Sequence, residues 1–174
     1  MNLPNKLTVA RMIAVPFFIA AYMKGWYIAA FVIFVLASIT DTLDGQIARK
    51  YKLITNFGKI MDPLADKILV YSAFCLMVPA YVPAWAFVII LAREFLVAGV
   101  RTVAASEGIV IAARMSGKIK TVLQMIAVCM LLLCPVIEFG WFIIASHVIL
   151  YASLVMTVVS GVEYVLDNKQ VFSE

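Results

Sequence analysis

The apolar residues of this chain come in six long blocks, and short segments containing glycine, proline or polar residues separate them. Each block is about long enough for a helix to cross a hydrocarbon core about 30 Å thick, at a rise of about 1.5 Å per residue. Glycine and proline mark the turns between blocks. The pattern predicts six transmembrane helices, at residues 7–23, 26–49, 60–78, 83–105, 115–133 and 141–166.

The composition agrees with a polytopic membrane protein. Hydrophobic residues make up 65% of the 174 residues, and they form continuous blocks instead of the alternating faces of a soluble domain. The chain contains no internal repeat, low-complexity tract or soluble domain. The fold class predicted from the sequence is therefore all-α, with one membrane-embedded domain over residues 1–174.

The basic residues predict the orientation in the membrane. The formal net charge is only +4, but of the basic residues only Lys24 lies on one side of the predicted bilayer. By the positive-inside rule, the N-terminus, the second and fourth connections and the C-terminus are cytoplasmic. We expect the chain to contact membrane lipids and no nucleic acid. The basic residues of the cytoplasmic side are Lys6, Arg11, Arg49, Lys50, Lys52, Lys59, Lys67, Arg93, Arg101, Arg114, Lys118, Lys120 and Lys169.

Four aspartates stand at helical spacings in a chain that otherwise avoids charge. Asp41 and Asp44 are three residues apart in the second predicted helix, and Asp62 and Asp66 are four residues apart in the third. Each pair therefore lies on one face of its helix. A hairpin of the two helices would bring both faces together near the cytoplasmic boundary, so we expect the four carboxylates to converge.

The residue types around these aspartates indicate a metal site that acts on phosphate. Close anions stay ionised only if cations lie among them. Oxygen ligands without a nearby His or Cys suit Mg²⁺ or Mn²⁺, and Mg²⁺ completes its coordination shell with water and substrate phosphates. Gly45, Ala48 and Gly58 leave room for such a ligand beside the helix backbones, and Arg49 adds a fork for phosphate.

Two other interpretations of the aspartates remain open from the residues alone. The acids can pair with Lys50, Lys52, Lys59 and Lys67 in a solvated network at the membrane edge. They can also form the ion site of a small cation transporter, since transporters place carboxylates within the membrane. The acids cluster at one boundary and do not continue as a path through the later helices, which favours the metal site.

The aspartate segment resembles the signature of the CDP-alcohol phosphotransferase family. The pattern D-x2-D-G-x2-A-R-x8-G-x3-D-x3-D is matched at every fixed position between Asp41 and Asp66. Members of this family are integral membrane enzymes with six transmembrane helices, which agrees with the length and the six blocks of this chain. The resemblance implies that an alcohol displaces CMP from a CDP-linked lipid, and it also implies a homodimer.

The resemblance assigns roles to individual positions. It implies that Asp41, Asp44 and Asp62 are ligands of two divalent ions, and that Asp66 lies near the metals and deprotonates the attacking hydroxyl. Two metal ions can stabilise both the attacking and the leaving oxygen of a phosphoryl transfer. The resemblance places further residues at the cytidine nucleotide, namely Gly45, Ala48, Arg49 and Gly58.

The remaining cations give information about the acceptor. We expect Arg93 to face the protein interior, with Glu94 or an acid of the aspartate cluster nearby, because an unpaired cation at mid-span is costly. Arg101, Arg114 and Lys118 are predicted to bind the phosphate of an acceptor such as glycerol 3-phosphate. The alternative is that the cations after residue 113 contact anionic lipid heads.

A second, shorter resemblance favours glycerol 3-phosphate as the acceptor and CDP-diacylglycerol as the donor. The opening segment 2–11 and the segments 93–95 and 117–121 resemble bacterial members of the family that use this acceptor. The resemblance also implies that Asn5 and Thr8 approach the nucleotide, although capping of the first helix explains either residue nearly as well. Relatives that make cardiolipin, phosphatidylserine or phosphatidylinositol phosphate remain the alternative within the family.

Overall fold

The structure is a computed structural model that describes residues 3–50, 56–106, 108, 111 and 114–169. For residues 3–6, 41–50, 56–60, 62 and 63 it describes the backbone alone. The described residues form six α-helices and no strand, which confirms the all-α prediction. The helices are α1 Leu3–Met23, α2 Tyr27–Lys50, α3 Asn56–Met77, α4 Ala84–Ser106, α5 Met115–Leu133 and α6 Gly140–Asp167.

The helix boundaries follow from local chemistry. After Met23, Gly25 takes a left-handed conformation at φ 76°, which suits a residue without a Cβ. The amide of Trp26 donates to the carbonyl of Ala21 at 2.9 Å, and that of Gly25 donates to the carbonyl of Tyr22 at 3.0 Å. These two bonds form a Schellman motif, which satisfies carbonyls at the end of α1 and turns the chain toward α2.

One packed unit comprises residues Met1–Met77 and Val128–Glu138. In it α1 packs against both α2 and α3. Phe18 of α1 and Phe34 of α2 are fully buried, with ring centroids 6.0 Å apart. Leu69 and Phe74 of α3 are also fully buried. An aromatic and aliphatic core therefore lies between α1 and the two helices that contain the aspartates, α2 and α3.

The other packed unit comprises Val78–Ala127 and Phe139–Glu174. Here α4 packs along α6. Val97, Val100 and Tyr164 form an apolar cluster against which Ile111 packs. The interior of this unit is partly polar, since several buried side chains on its three helices can form hydrogen bonds or carry charge. They are Glu94, Lys120, Gln124, Ser146, Ser153, Thr157 and Ser160.

Two of the described helices, α5 and α6, are long and apolar enough to cross a membrane. Helices α1 and α2 contain the shorter apolar stretches Leu7–Met23 and Tyr27–Thr40. All six helices nevertheless expose large apolar side chains, including Phe17 on α1, Leu36 on α2 and Val88 on α4. The six helices are confirmed at nearly the predicted positions, whereas six membrane spans remain a prediction.

Candidate active site

The four aspartates lie on two helices at the predicted spacing. Asp41 and Asp44 are in α2, and Asp62 and Asp66 are in α3. At a rise of about 1.5 Å per residue, the members of each pair are about 4.5 Å and 6 Å apart along the helix axis. Each pair is therefore separated by about one turn and lies on one helix face.

The convergence of the carboxylates lies outside the described side chains. Among the four, the structure describes only the side chain of Asp66, which is half-buried. No group of three or more His, Cys, Asp or Glu residues suited to a metal occurs among the side chains that the structure describes. The donor chemistry of the sequence still fits a hard divalent ion, because all four aspartates on these two helices offer carboxylate oxygens.

Most of the predicted nucleotide residues also lie outside the described side chains. These residues are Asn5, Gly45, Ala48, Arg49 and Gly58. Thr8 is described, and it is fully buried on α1. Helix α1 already includes Leu3, so neither Asn5 nor Thr8 is the N-cap of the first helix. Capping therefore does not explain Thr8, whereas the side chain of Asn5 lies outside the described set.

Three charged side chains form a buried ion cluster in the second unit, made of Arg93, Glu94 and Lys120. Arg93 Nη1 donates to Glu94 Oε1 at 2.8 Å, and Lys120 Nζ donates to the same oxygen. The side chains of Arg93, Glu94 and Lys120 are 13%, 11% and 4% exposed. The prediction that Arg93 lies inside the protein with Glu94 is confirmed. Lys120 is buried, so lipid-head contact is not its role.

Arg93 passes between two glycines of neighbouring helices. A Cβ atom built on Gly161 of α6 would lie 3.1 Å from Arg93 Cγ, and one built on Gly117 of α5 would lie 3.5 Å from Arg93 Nη2. The first distance is tighter than an ordinary van der Waals contact and the second is an ordinary one, so a side chain at Gly161 would crowd Arg93 while Gly117 lies in contact with it. The position of Arg93 therefore depends on three helices.

One turn after Lys120, Gln124 forms a neutral hydrogen-bonded pair with Thr157 in the interior of this unit. Gln124 Nε2 donates to Thr157 Oγ1 at 3.4 Å, and both residues are buried. Thr157 Oγ1 in turn donates to the carbonyl of Ser153 at 2.7 Å. Buried polar groups of this kind need such partners to be tolerated in an apolar interior.

The structure brings two of the three predicted acceptor cations to one end of α6. Arg101 Nε donates to Tyr164 Oη at 3.3 Å, and its guanidinium carbon lies 5.7 Å from the centre of that ring. Arg114 Nε lies 2.7 Å from Asp167 Oδ2. Tyr164 and Asp167 are three residues apart, so Arg101 and Arg114 reach the same end of the helix. Lys118 follows Arg114 by one turn and is exposed.

Sequence reasoning did not identify Lys120 as the partner of Glu94. The available signal was Glu94 itself, an acid inside an apolar segment that requires a cation nearby. Arg93 meets that requirement from the adjacent position, so no local signal indicates a second cation 26 residues away.

Comparison with known proteins confirms the family resemblance. The family model described as CDP-alcohol phosphatidyltransferase matches residues 1–159. The chain is 43% identical to the CDP-diacylglycerol–glycerol-3-phosphate 3-phosphatidyltransferase of Bacillus subtilis (strain 168), over 96% of this chain and 95% of the relative. Proteins with the same name are 38% identical in Rickettsia felis, over 98% and 97% of the two chains, and 35% identical in Haemophilus influenzae, over 97% and 98%.

Proposed function

The chain belongs to the CDP-alcohol phosphatidyltransferase family, and we propose that it transfers a phosphatidyl group from CDP-diacylglycerol to sn-glycerol 3-phosphate. The products are phosphatidylglycerophosphate and CMP, as in phospholipid biosynthesis. One observation carries the proposal, namely that relatives named for this reaction are similar over nearly the whole chain. Family membership also favours an enzyme over the cation transporter that the aspartates alone left open.

The same proposal includes a membrane-embedded enzyme with its active site on the cytoplasmic side. Large apolar side chains are exposed on all six helices, which suits contact with lipid. Helices α5 and α6 are long and apolar enough to cross a bilayer. The distribution of Lys and Arg supports six spans with a cytoplasmic N-terminus. The single domain over residues 1–174 and the homodimer also belong to this proposal.

Members of this family generally use divalent metal ions. We assign two ions, Mg²⁺ or Mn²⁺, to Asp41, Asp44, Asp62 and Asp66. The oxygen-only donor set supports hard divalent ions. When bound, the ions would stabilise the negative charge of the diphosphate and of the leaving CMP.

The reaction needs a base for the acceptor hydroxyl, and Asp66 is the residue assigned to it. Asp66 accepts the proton of the C1 hydroxyl of glycerol 3-phosphate. That oxygen then forms a bond with the phosphorus that carries diacylglycerol, while the bond from this phosphorus to the bridging oxygen of CMP breaks. A half-buried carboxylate supports this role because it combines access to substrate with partial shielding from water.

Binding of the two substrates is assigned to different groups. The nucleotide is assigned to Gly45, Ala48, Arg49 and Gly58, with further contacts at Asn5 and Thr8. Small residues allow the cytidine nucleotide to approach a helix backbone closely. The phosphate of the acceptor is assigned to Arg101, Arg114 and Lys118, which are basic and exposed.

The experiment is CMP release by the purified protein in detergent with CDP-diacylglycerol and Mg²⁺. Glycerol 3-phosphate, glycerol, serine, inositol phosphate and phosphatidylglycerol are added in separate reactions. Release with glycerol 3-phosphate alone is expected. Release with a different alcohol keeps the family chemistry but overturns the acceptor assignment. No release with any acceptor, from folded protein, refutes the proposed reaction.

Asp66→Asn tests the base. The variant removes the proton acceptor but keeps the size of the side chain, so we expect turnover to fall to background while CMP binding largely remains. Calorimetric titration with CMP separates the two effects. Full turnover by Asp66→Asn would remove Asp66 from the role of base.

A further inference from the structure

Arg93 has one hydrogen-bonding edge that no described residue uses. Its Nη1 atom donates a hydrogen bond to Glu94 Oε1. Its Nε atom is buried and has no hydrogen-bond partner among the residues that the structure describes. A buried donor in that condition needs an explanation, such as a ligand or water at that position.

The geometry of the open edge suits a phosphate. The guanidinium is planar, and its Nε–H bond is parallel to one N–H bond of Nη2. Two parallel N–H groups match two oxygens of a phosphate, and this bidentate geometry distinguishes arginine from lysine. The adjacent Gly117 contributes no side chain on the Nη2 side, where a Cβ atom would lie 3.5 Å from that nitrogen.

Charge in the same cluster favours an anion. Arg93 and Lys120 each carry a positive charge, and both contact the same oxygen of Glu94. The three side chains therefore sum to one positive charge in a region where each is at least 87% buried. In such surroundings electrostatic attraction is screened less than at the surface.

The predicted acceptor cations are placed differently. Arg101 already lies against Tyr164, and Arg114 already pairs with Asp167. Both arginines are exposed, so water competes for their charge. Arg93 thus combines a preset orientation, low exposure and an edge without a described partner, which neither of the other two arginines does.

We propose that Arg93 also binds the phosphate monoester of the acceptor, in addition to the three cations assigned above, through its Nε–Nη2 edge, and that Glu94 is a positioning residue that orients the guanidinium through Nη1. This rests on the proposed function, since the ligand is the phospho-alcohol of that reaction. Arg93 selects acceptors that carry a phosphate over neutral alcohols. Glu94 acts through Arg93 and has no contact with the substrate.

The primary test is Arg93→Lys, which keeps the charge and removes the planar fork. CMP release is measured while glycerol 3-phosphate and CDP-diacylglycerol are varied separately. The KM for glycerol 3-phosphate should rise roughly ten- to a hundredfold, the range expected for losing a hydrogen bond to a charged group. The KM for CDP-diacylglycerol should change less than about twofold, because a phosphate contact made only to the acceptor leaves the donor unaffected.

The role of Glu94 is tested by the same comparison of the KM for glycerol 3-phosphate with the KM for CDP-diacylglycerol. Glu94→Gln should raise the KM for glycerol 3-phosphate, and Glu94→Asp should restore part of the loss because it keeps a carboxylate. Thr157→Val is the matched structural control, since it removes a buried hydrogen bond with Gln124 in the same unit. That control should lower thermal stability and leave the KM for glycerol 3-phosphate unchanged.

A binding measurement on the wild-type protein tests the phosphate site without turnover, so it remains informative if a variant fails to fold. Wild-type protein without CDP-diacylglycerol should be stabilised against heat by glycerol 3-phosphate and by inorganic phosphate, but not by glycerol. Lack of protection by both phosphates overturns the proposal.

Arg101→Lys separates this inference from the proposed function. A raised KM in Arg101→Lys together with a wild-type KM in Arg93→Lys overturns the role of Arg93 and leaves the reaction intact. Wild-type protein that releases no CMP refutes the reaction instead. An equal rise of both KM values in Arg93→Lys means that the arginine is structural, which also overturns the proposal.

Discussion

Glu94→Gln is expected to cost far more stability than the loss of an exposed ion pair. Both Arg93 Nη1 and Lys120 Nζ donate to Glu94 Oε1, so a neutral amide removes the negative charge that two cations share. The side chain of Lys120 is only 4% exposed, so water cannot replace the carboxylate fully. Removing one partner of a buried pair typically costs about 3–5 kcal/mol, and we expect the free energy of unfolding to fall by that amount.

A double-mutant cycle isolates the contribution of the Glu94–Lys120 contact. Lys120→Met removes the second charge but keeps an apolar stem of similar length. Because the double variant no longer buries that cation without its carboxylate, it should cost less than the two single variants together, by roughly 2 kcal/mol. The free energies are measured by denaturant unfolding in detergent micelles, followed by tryptophan fluorescence.

The exposed pair of Arg114 and Asp167 is the matched control. Its atoms are 2.7 Å apart, but the side chains are 56% and 35% exposed. A cycle of Arg114→Gln and Asp167→Asn should therefore give about 0.2–1 kcal/mol, as is usual for surface pairs. A coupling energy at Glu94 no larger than the one at Asp167 would refute the reasoning that burial sets the strength of the ion cluster.

Three further predictions concern packing and metal dependence. Gly161→Ala should lower stability by about 1–3 kcal/mol, because its Cβ would lie 3.1 Å from Arg93 Cγ. Gly99→Ala, whose Cβ would have no atom within 4 Å, should raise stability by about 0.5–1 kcal/mol through its higher helix propensity. Equal effects of the two substitutions in thermal unfolding would contradict this difference. Phe18→Ala should cost about 3–5 kcal/mol because the ring is fully buried, and Phe17→Ala, at a side chain that is 63% exposed, should cost much less; denaturant unfolding measures both. Chelation by EDTA should reduce CMP release to background and added Mg²⁺ or Mn²⁺ should restore it, so turnover that persists without divalent ions would argue against the metal site.

The sequence predicted the helices well because their signal is local. A block of apolar residues ended by glycine or proline contains the information for one helix, whatever its neighbours are. The two larger differences occur where the first turns are polar. Helix α1 begins at Leu3 and not at residue 7, and helix α3 begins at Asn56 and not at residue 60. Polar residues such as Asn56 and Lys59 can be helical without adding to an apolar block.

The aspartate pattern was also readable, because spacing on a helix determines which residues share a face. Asp41 and Asp44 lie on α2, and Asp62 and Asp66 lie on α3, as predicted. The family follows from the same segment together with the match over residues 1–159. Convergence of the carboxylates and their roles stay predictions, since they depend on side chains outside the described set.

The sequence by itself thus determined six helices, the helix faces that carry the aspartates and the need of Arg93 for a nearby acid. Only the tertiary structure decided that Lys120 joins Arg93 at that carboxylate, and that Arg101 and Arg114 engage α6 instead. The physical reason is the range of the forces involved. Hydrogen bonding and apolar periodicity act within a helix, whereas the partner of a buried charge depends on how helices distant in sequence rotate and pack against one another.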